Sequence, residues 1–133
     1  MGEQRTPVGL ERVGQVSVNV KQLPRAVAFY RDALELPLLL DTPGMAFFQC
    51  GATRLMLSVP TGAEFDHPGS VLYLTVRDIE ASHAALAARG VSFLRPPHCI
   101  ARLGERDLYM AFFRDPEGNT LALMSEVDAP APY

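Results

Sequence analysis

The sequence predicts an α+β fold made of two tandem modules, each with the order strand, helix, strand, strand, strand. The tetrapeptide Met45-Ala46-Phe47-Phe48 recurs verbatim as Met110-Ala111-Phe112-Phe113, about half the chain later. Each copy leads through a glycine-containing turn into a Leu-x-Leu strand, Leu55-Met56-Leu57 in the first half and Leu121-Ala122-Leu123 in the second. Internal repeats of this size indicate repeated structural units. The length of 133 residues suits one compact domain.

The first module spans about residues 13–59. Val16, Val18 and Val20 alternate with polar residues, which is typical of a strand with one buried face. A helix follows, with a proline tolerated in its first turn, and Pro37 ends it. Its apolar residues recur at helical spacing, so the helix is expected to pack on the valine face. The predicted elements are a strand at 13–20, a helix at 23–36, and strands at 38–41, 45–50 and 54–59.

Residues 60–69 are rich in Pro, Gly, Asp and His and are predicted to link this module to a second one at about 70–127. Asp78 is a predicted helix N-cap, and Gly90 stands where a helix commonly ends. Two consecutive prolines, Pro96 and Pro97, place the next strand at a sheet edge. The predicted elements are a strand at 71–76, a helix at 79–89, an interrupted strand at 91–103, and strands at 108–114 and 120–127, followed by a loose tail at 128–133.

The composition and charge of the chain argue against some classes of binding partner. The formal net charge is −3, and acidic and basic residues are interspersed without a basic stripe, which argues against nucleic acid. No apolar run is long enough to span a membrane. Cys50 and Cys99 are isolated, as expected for reduced thiols in a cytoplasmic protein.

One helix per module covers only one face of each predicted sheet, and the other face carries side chains of mixed polarity. This mixture is too polar for a dry core and too apolar for a fully solvated surface, so it predicts a cleft for a small organic molecule. The residues on that face are Gln15, Ser17, Asn19, Arg54, Met56, Ser58, Tyr73, Thr75, Thr120, Ala122 and Met124.

Two motifs extend this interpretation. The helix segment Ala28-Phe29-Tyr30-Arg31-Asp32-Ala33-Leu34 and the turn Asp115-Pro116-Glu117-Gly118-Asn119, in a duplicated module, resemble the vicinal oxygen chelate superfamily. This is the group of glyoxalases, bleomycin resistance proteins and extradiol dioxygenases. The resemblance covers about residues 13–127. It implies that the modules form a curved, cup-like mixed sheet with helices on the outside, and that the protein is a homodimer.

The resemblance also implies a divalent metal in the cup. By position, the family's ligands fall on Gln15 and Val71 in the first strands and on Met56 and Ala122 in the last strands. Three of these four cannot bind a hard divalent ion, and Gln15 offers only a neutral amide oxygen. We therefore expect no metal and no other cofactor, with a divalent metal as the alternative.

Candidate site residues follow from the open face and the adjacent strands. His98 is a candidate for catalysis, since a histidine can act as donor, acceptor or base near neutral pH, and a structural hydrogen-bonding role is the alternative. Arg54 and Arg102 can bind an anionic group or form surface salt bridges, for example with Glu105 or Asp107. Phe48 fits a pocket wall or simple packing. The full set of ligand-binding candidates is Gln15, Ser17, Phe48, Arg54, Met56, Tyr73, His98, Arg102, Tyr109 and Ala122.

Three functions remain open from the sequence. The first is metal-independent binding of a small organic molecule in a cleft between the modules, as in bleomycin resistance proteins. The second is a lyase or isomerase of the glyoxalase type, rather than a dioxygenase, with a displaced active site around His98. The third is an interaction module that uses its open sheet face to bind another protein.

Overall fold

A computed structural model describes residues 7, 9, 11–63 and 66–129 of the chain. Residues 130–133 of the predicted tail and residues 64 and 65 of the predicted linker lie outside the described part. In chain order the elements are β1 (Gln15–Asn19), α1 (Leu23–Ala28, continued by a π-helical turn at Phe29–Ala33), β2 (Leu38–Thr42), β3 (Met45–Cys50), β4 (Thr53–Ser58), β5 (Leu72–Thr75), α2 (Ile79–Ala88), β6 (His98–Leu103), β7 (Arg106–Arg114) and β8 (Thr120–Asp128).

The strands form two mixed sheets of four strands each, in the orders β1-β4-β3-β2 and β5-β8-β7-β6. In each sheet the first strand of the module runs parallel to the last, and the other pairs are antiparallel. The α+β class and the two β-α-β-β-β modules are thus confirmed. The strands form two separate sheets rather than one continuous curved sheet.

The repeated tetrapeptide has the same role in both modules. Ala46 and Phe48 on β3, and Ala111 and Phe113 on β7, have no exposed surface and face the helices. Leucines of the neighbouring strands β4 and β8 lie on the same side of each sheet. Because side chains alternate along a strand, the alanine and the second phenylalanine of each copy lie in the core. The methionine and the first phenylalanine lie on the opposite face.

Helix α2 begins and ends as predicted. The Asp78 carboxylate accepts a hydrogen bond of 3.1 Å from the Ala81 N–H, so Asp78 is the N-cap. Gly90 follows the helix with φ of +89°, a conformation that costs a glycine little. No helix in the described part of the chain is long and apolar enough to cross a membrane.

The turn between β7 and β8, in the second module, makes hydrogen bonds to the start of α1 in the first module. The Glu117 carboxylate accepts hydrogen bonds from the N–H groups of Lys21 and Gln22 and pairs with Arg25, all at the start of α1. Gln22 occupies the N-cap position without a side-chain cap of its own, so the second module supplies the cap. Burial by itself raises the pKa of Glu117, but these hydrogen bonds and the Arg25 charge outweigh it and hold the pKa below its usual value.

Candidate functional site

The open face of the first sheet carries most of the predicted site residues. Pairing of β1 with β4 sets Gln15 beside Arg54 and Ser17 beside Met56. The intervening valines and leucines of these strands pack toward α1, so the four paired side chains point to the other side. The structure therefore brings Gln15, Ser17, Arg54 and Met56 together.

A cleft of about 580 Å³ lies over part of this face. Its floor includes Ser17, Met56 and Ser58, and its rim comes from the turn between β2 and β3 and from the linker, including Met45 and His67. Every described lining residue belongs to the first module or to the linker. This cleft lies between the first sheet and the linker. A smaller cavity of about 350 Å³ lies between the modules, where the sequence predicted a cleft, and is lined by residues of both, including Glu35 and Leu86.

The linker is held over the sheet by a polar contact. The Asn19 side-chain nitrogen donates a hydrogen bond of 2.8 Å to the His67 carbonyl oxygen, and the Asn19 carbonyl accepts one of 3.1 Å from Asn119. Asn19 therefore connects the cleft rim to the turn that joins the two modules.

Polar groups occupy the part of the face next to the cleft. The Arg54 Nε donates a hydrogen bond of 2.6 Å to the Gln15 side-chain oxygen, and the guanidinium lies over the Phe47 ring at 5.6 Å from its centroid. The Gln15 side-chain nitrogen is then turned to the Met56 sulfur at 4.0 Å. Inside the cleft, the Ser17 and Ser58 hydroxyl oxygens are 3.5 Å apart. The two serine hydroxyls offer hydrogen-bond donors inside the cleft, and the Gln15 and Arg54 side chains offer donors beside it.

Phe48 does not line this site. It has no exposed surface and packs against Tyr30 in the core, with ring centroids 6.0 Å apart. The preceding residue, Phe47, faces the site and pairs with Met56. Sequence reasoning missed Phe47, because only the pairing with β4, which sets Phe48 opposite Leu55, shows which of the two adjacent phenylalanines faces the core.

The second sheet presents Tyr73 and Ala122 on its own open face, away from the described cleft. Tyr73 is 48% exposed, and its ring meets the Phe112 ring edge-on at 6.1 Å. Ala122 is paired with both of these residues and has no exposed surface. A ligand therefore has access to Tyr73 but not to Ala122.

His98 and Arg102 lie on opposite faces of the second sheet. Regular alternation would place both on one face, but a β-bulge between Cys99 and Ala101 shifts the alternation by one residue. His98 is paired with Met110, whereas Arg102 is paired with Asp107 and binds its carboxylate at 2.6 Å. Arg102 thus forms the surface salt bridge that was its alternative role.

Local partners occupy both ring nitrogens of His98. Nδ1 lies 3.1 Å from the Pro96 carbonyl oxygen, and Nε2 is within hydrogen-bond distance of the Arg95 guanidinium. A carbonyl only accepts and a guanidinium only donates, so Nδ1 carries the proton and Nε2 accepts. This arrangement favours the structural role of His98. Tyr109 also falls outside the open face, since it packs against the core on the helix side of β7.

The side chains at the family's metal positions do not fit a divalent metal. Gln15 and Met56 are adjacent, but the pair offers only an amide and a thioether, and the amide oxygen is already bound to Arg54. Val71 and Ala122 have no donor atoms. Hard and borderline divalent ions prefer carboxylate, imidazole or thiolate ligands. No group of three His, Cys, Asp or Glu side chains in the described ranges is placed to hold a metal ion.

Comparisons with known proteins agree on one family. The family model named Glyoxalase/Bleomycin resistance protein/Dioxygenase superfamily matches residues 12–123. No curated protein matches the chain significantly.

Solved structures of this family share the fold. A lactoylglutathione lyase from Agrobacterium tumefaciens has a TM-score of 0.71 and 22% identity, over 88% of this chain and 95% of that one. A superfamily member from Sphaerobacter thermophilus has a TM-score of 0.74 and 24% identity, over 87% and 98%. A glyoxalase/bleomycin resistance protein/dioxygenase from Alicyclobacillus acidocaldarius has a TM-score of 0.70 and 18% identity, over 88% and 92%. At these identities the likeness establishes the fold alone.

Proposed function

Because this chain belongs to the glyoxalase/bleomycin resistance protein/dioxygenase superfamily, we propose that it binds a small organic molecule, without a metal ion, in the cleft over the first sheet. The observation that carries the proposal is the combination of this cleft with metal-ligand positions that hold Gln15 and Met56. The scaffold retains a concave face, while its donor atoms suit an organic ligand better than a metal.

The size and lining of the cleft support this function. Ligand pockets for small molecules commonly enclose about 300–1,000 Å³ and combine apolar walls with a few polar groups. Here about 580 Å³ is lined by apolar side chains such as Met45, Met56 and Val59, with the Ser17 and Ser58 hydroxyls among them. Methionine side chains adapt their shape to flat apolar ligands. An aromatic or amphipathic molecule fits these properties.

A blocking substitution tests the proposal. Met56→Trp fills the cleft floor, and Met124→Trp introduces the same ring on the open face of the second sheet as a matched control. Both variants and the unchanged protein are screened against one panel of aromatic and amphipathic small molecules by ligand-observed NMR. We expect Met56→Trp to lose the ligands that the other two proteins bind. Retention of those ligands by Met56→Trp would overturn the proposal.

The proposal includes a homodimer in the cytoplasm. Among the described residues, Cys50 and Cys99 are free thiols, which supports a reducing compartment. Large apolar side chains are exposed in the second module, including Tyr73, Leu94 and Ile100, and burial against a second copy removes such surface from water. Light scattering on the purified protein tests the dimer, and a single species with the mass of one chain would contradict it.

A further inference from the structure

The open face of the first sheet has an arginine next to a position where the family resemblance places a metal ligand. Arg54 is the neighbour of Gln15 in the β1–β4 register, and Gln15 stands at a family ligand position. The side chains on this face from β1, β3 and β4 include Gln15, Arg54 and Phe47 and no acidic residue. Arg54 therefore makes this face positively charged.

Arg54 is held in place without being neutralised. Its Nε donates to the Gln15 oxygen at 2.6 Å, and its guanidinium stacks over Phe47 at 5.6 Å. Five other arginines are each paired with a carboxylate, whereas Arg77 and Arg114, like Arg54, have no such pair in the described part of the chain; the paired ones are Arg25, Arg31, Arg89, Arg102 and Arg106. In the described part of the chain Arg54 has no carboxylate partner, and its two terminal nitrogens have no hydrogen-bond acceptor.

The hydrogen bond also fixes the direction of the Gln15 amide. With its oxygen bound to Arg54, its nitrogen faces the Met56 sulfur at 4.0 Å, and Met56 lines the cleft. Gln15 and Arg54 lie beside the cleft rather than in its lining, so a group that extends from the cleft past Met56 meets the Gln15 amide N–H and its neighbour Arg54. Two terminal guanidinium nitrogens match the geometry of a carboxylate, which can accept two parallel hydrogen bonds.

We propose that Arg54, Gln15 and Phe47 form a carboxylate-binding subsite, and that the ligand of the cleft is an apolar, typically aromatic, carboxylate. The inference rests on the proposed function, because the apolar body of the ligand occupies the same cleft. The fixed positive charge of Arg54 takes the place of a metal ion as the group that attracts the anionic end of the ligand.

A matched pair of probes tests the inference. Naphthalene-2-carboxylate and its uncharged carboxamide differ little in shape but differ in charge, and the protein has no tryptophan to obscure naphthalene fluorescence. We expect the carboxylate to bind roughly tenfold to a hundredfold more tightly than the carboxamide, as charge-assisted hydrogen bonds predict. The preference is expected to shrink as ionic strength rises.

Three variants test which residue causes the preference for the carboxylate. Arg54→Gln is expected to abolish the preference for the carboxylate, because it weakens carboxylate binding far more than carboxamide binding. Gln15→Glu is expected to do the same with Arg54 still present, because its carboxylate neutralises the guanidinium. Arg31→Gln, which removes an equal charge from the helix on the opposite side of the sheet, is the control and retains the preference.

Two results would overturn the inference, and each is distinct from failure of the proposed function. Equal binding of the two probes by the unchanged protein means that the cleft does not select an anion. A preference that survives Arg54→Gln means that Arg54 is not the selecting group. Because Met56→Trp carries a tryptophan, its binding of the two probes is measured by ligand-observed NMR. In both cases the proposed function stands if Met56→Trp still removes binding, and it fails separately if Met56→Trp binds both probes as the unchanged protein does.

Discussion

The Tyr30 hydroxyl donates a hydrogen bond of 2.8 Å to the carboxylate of Asp115, which joins the helix of the first module to the turn of the second. Both residues are buried. The same carboxylate accepts hydrogen bonds from the N–H groups of Glu117 and Asn119 at 2.8 and 2.9 Å, so it also shapes the turn. Burial, with the charge of Asp115, raises the pKa of Tyr30 far above its usual value and keeps the hydroxyl a donor.

Tyr30→Phe is expected to destabilise the protein by about 1–3 kcal/mol, because a buried carboxylate loses one of its hydrogen bonds. Equilibrium unfolding in urea measures the change. Tyr73→Phe removes the same hydroxyl from an exposed tyrosine and is expected to shift stability by less than about 0.5 kcal/mol. Equal effects of the two variants would show that the Asp115 contact contributes nothing specific.

Glu117→Gln is expected to lower stability at neutral pH by about 0.5–2 kcal/mol, because the amide oxygen still accepts hydrogen bonds but the charge that strengthens them and pairs with Arg25 is lost. The Glu117 side chain is only 5% exposed, and its folded-state pKa is below its usual value. Its contribution is therefore present above the unfolded-state pKa of a glutamate and is lost as pH falls through the folded-state pKa.

Unfolding experiments at a series of pH values test the sign of this effect. The stability difference between the unchanged protein and Glu117→Gln is expected to narrow as the solution is acidified. Glu126→Gln, a change of the same type at an exposed position, serves as the control. A difference that widens on acidification would contradict the assigned direction.

Adjacent phenylalanines on β3 are expected to differ in their roles. Phe48→Ala empties a fully buried core position and is expected to cost about 3–5 kcal/mol in stability. Phe47→Ala is expected to cost less in stability and to weaken carboxylate binding, because Arg54 loses the ring beneath it. Urea unfolding and naphthalene fluorescence together separate the two effects, and a reversed order of stability would refute the assigned faces.

Restoring ligands at Gln15 and Met56 is expected to create a metal site. The two side chains are already in contact, so Gln15→His with Met56→Glu brings an imidazole and a carboxylate together. Isothermal titration with zinc is expected to detect binding by this double variant and none by the unchanged protein. Gln49→His with Ser58→Glu puts the same groups at separated positions of the face and is the control. Zinc binding of equal strength by the unchanged protein would contradict the conclusion that Gln15 and Met56 do not fit a divalent metal.

Much of the fold was predictable because the structure that each short sequence pattern favours is also the structure that the whole fold requires. The strand alternation around Val16 and Val18, the cap at Asp78 and the repeated tetrapeptide each act over a few residues, and each corresponds to an observed element. The open-face placement of Gln15, Ser17, Arg54 and Met56 followed from the same alternation.

The incorrect predictions of site residues occurred where a shift of one residue in strand register changes the face on which a side chain lies. The bulge in β6 separates His98 from Arg102, and no local sequence signal marks the extra residue beyond the nearby prolines. Phe47 and Phe48 are chemically identical, so only pairing with β4 distinguishes the residue in the core from the residue at the site.

By itself the sequence determined the module order, the α+β class and the lack of a suitable ligand for a hard divalent ion at three of the four family metal positions, since these depend on residue type and short-range spacing. Only the tertiary structure decided that Glu117 of one module caps the helix of the other, and that Gln15 and Phe47 fix Arg54, whose terminal nitrogens have no acceptor among the residues that the structure describes. Those contacts join residues far apart in the chain, and their geometry depends on how sheets and helices pack rather than on any local pattern.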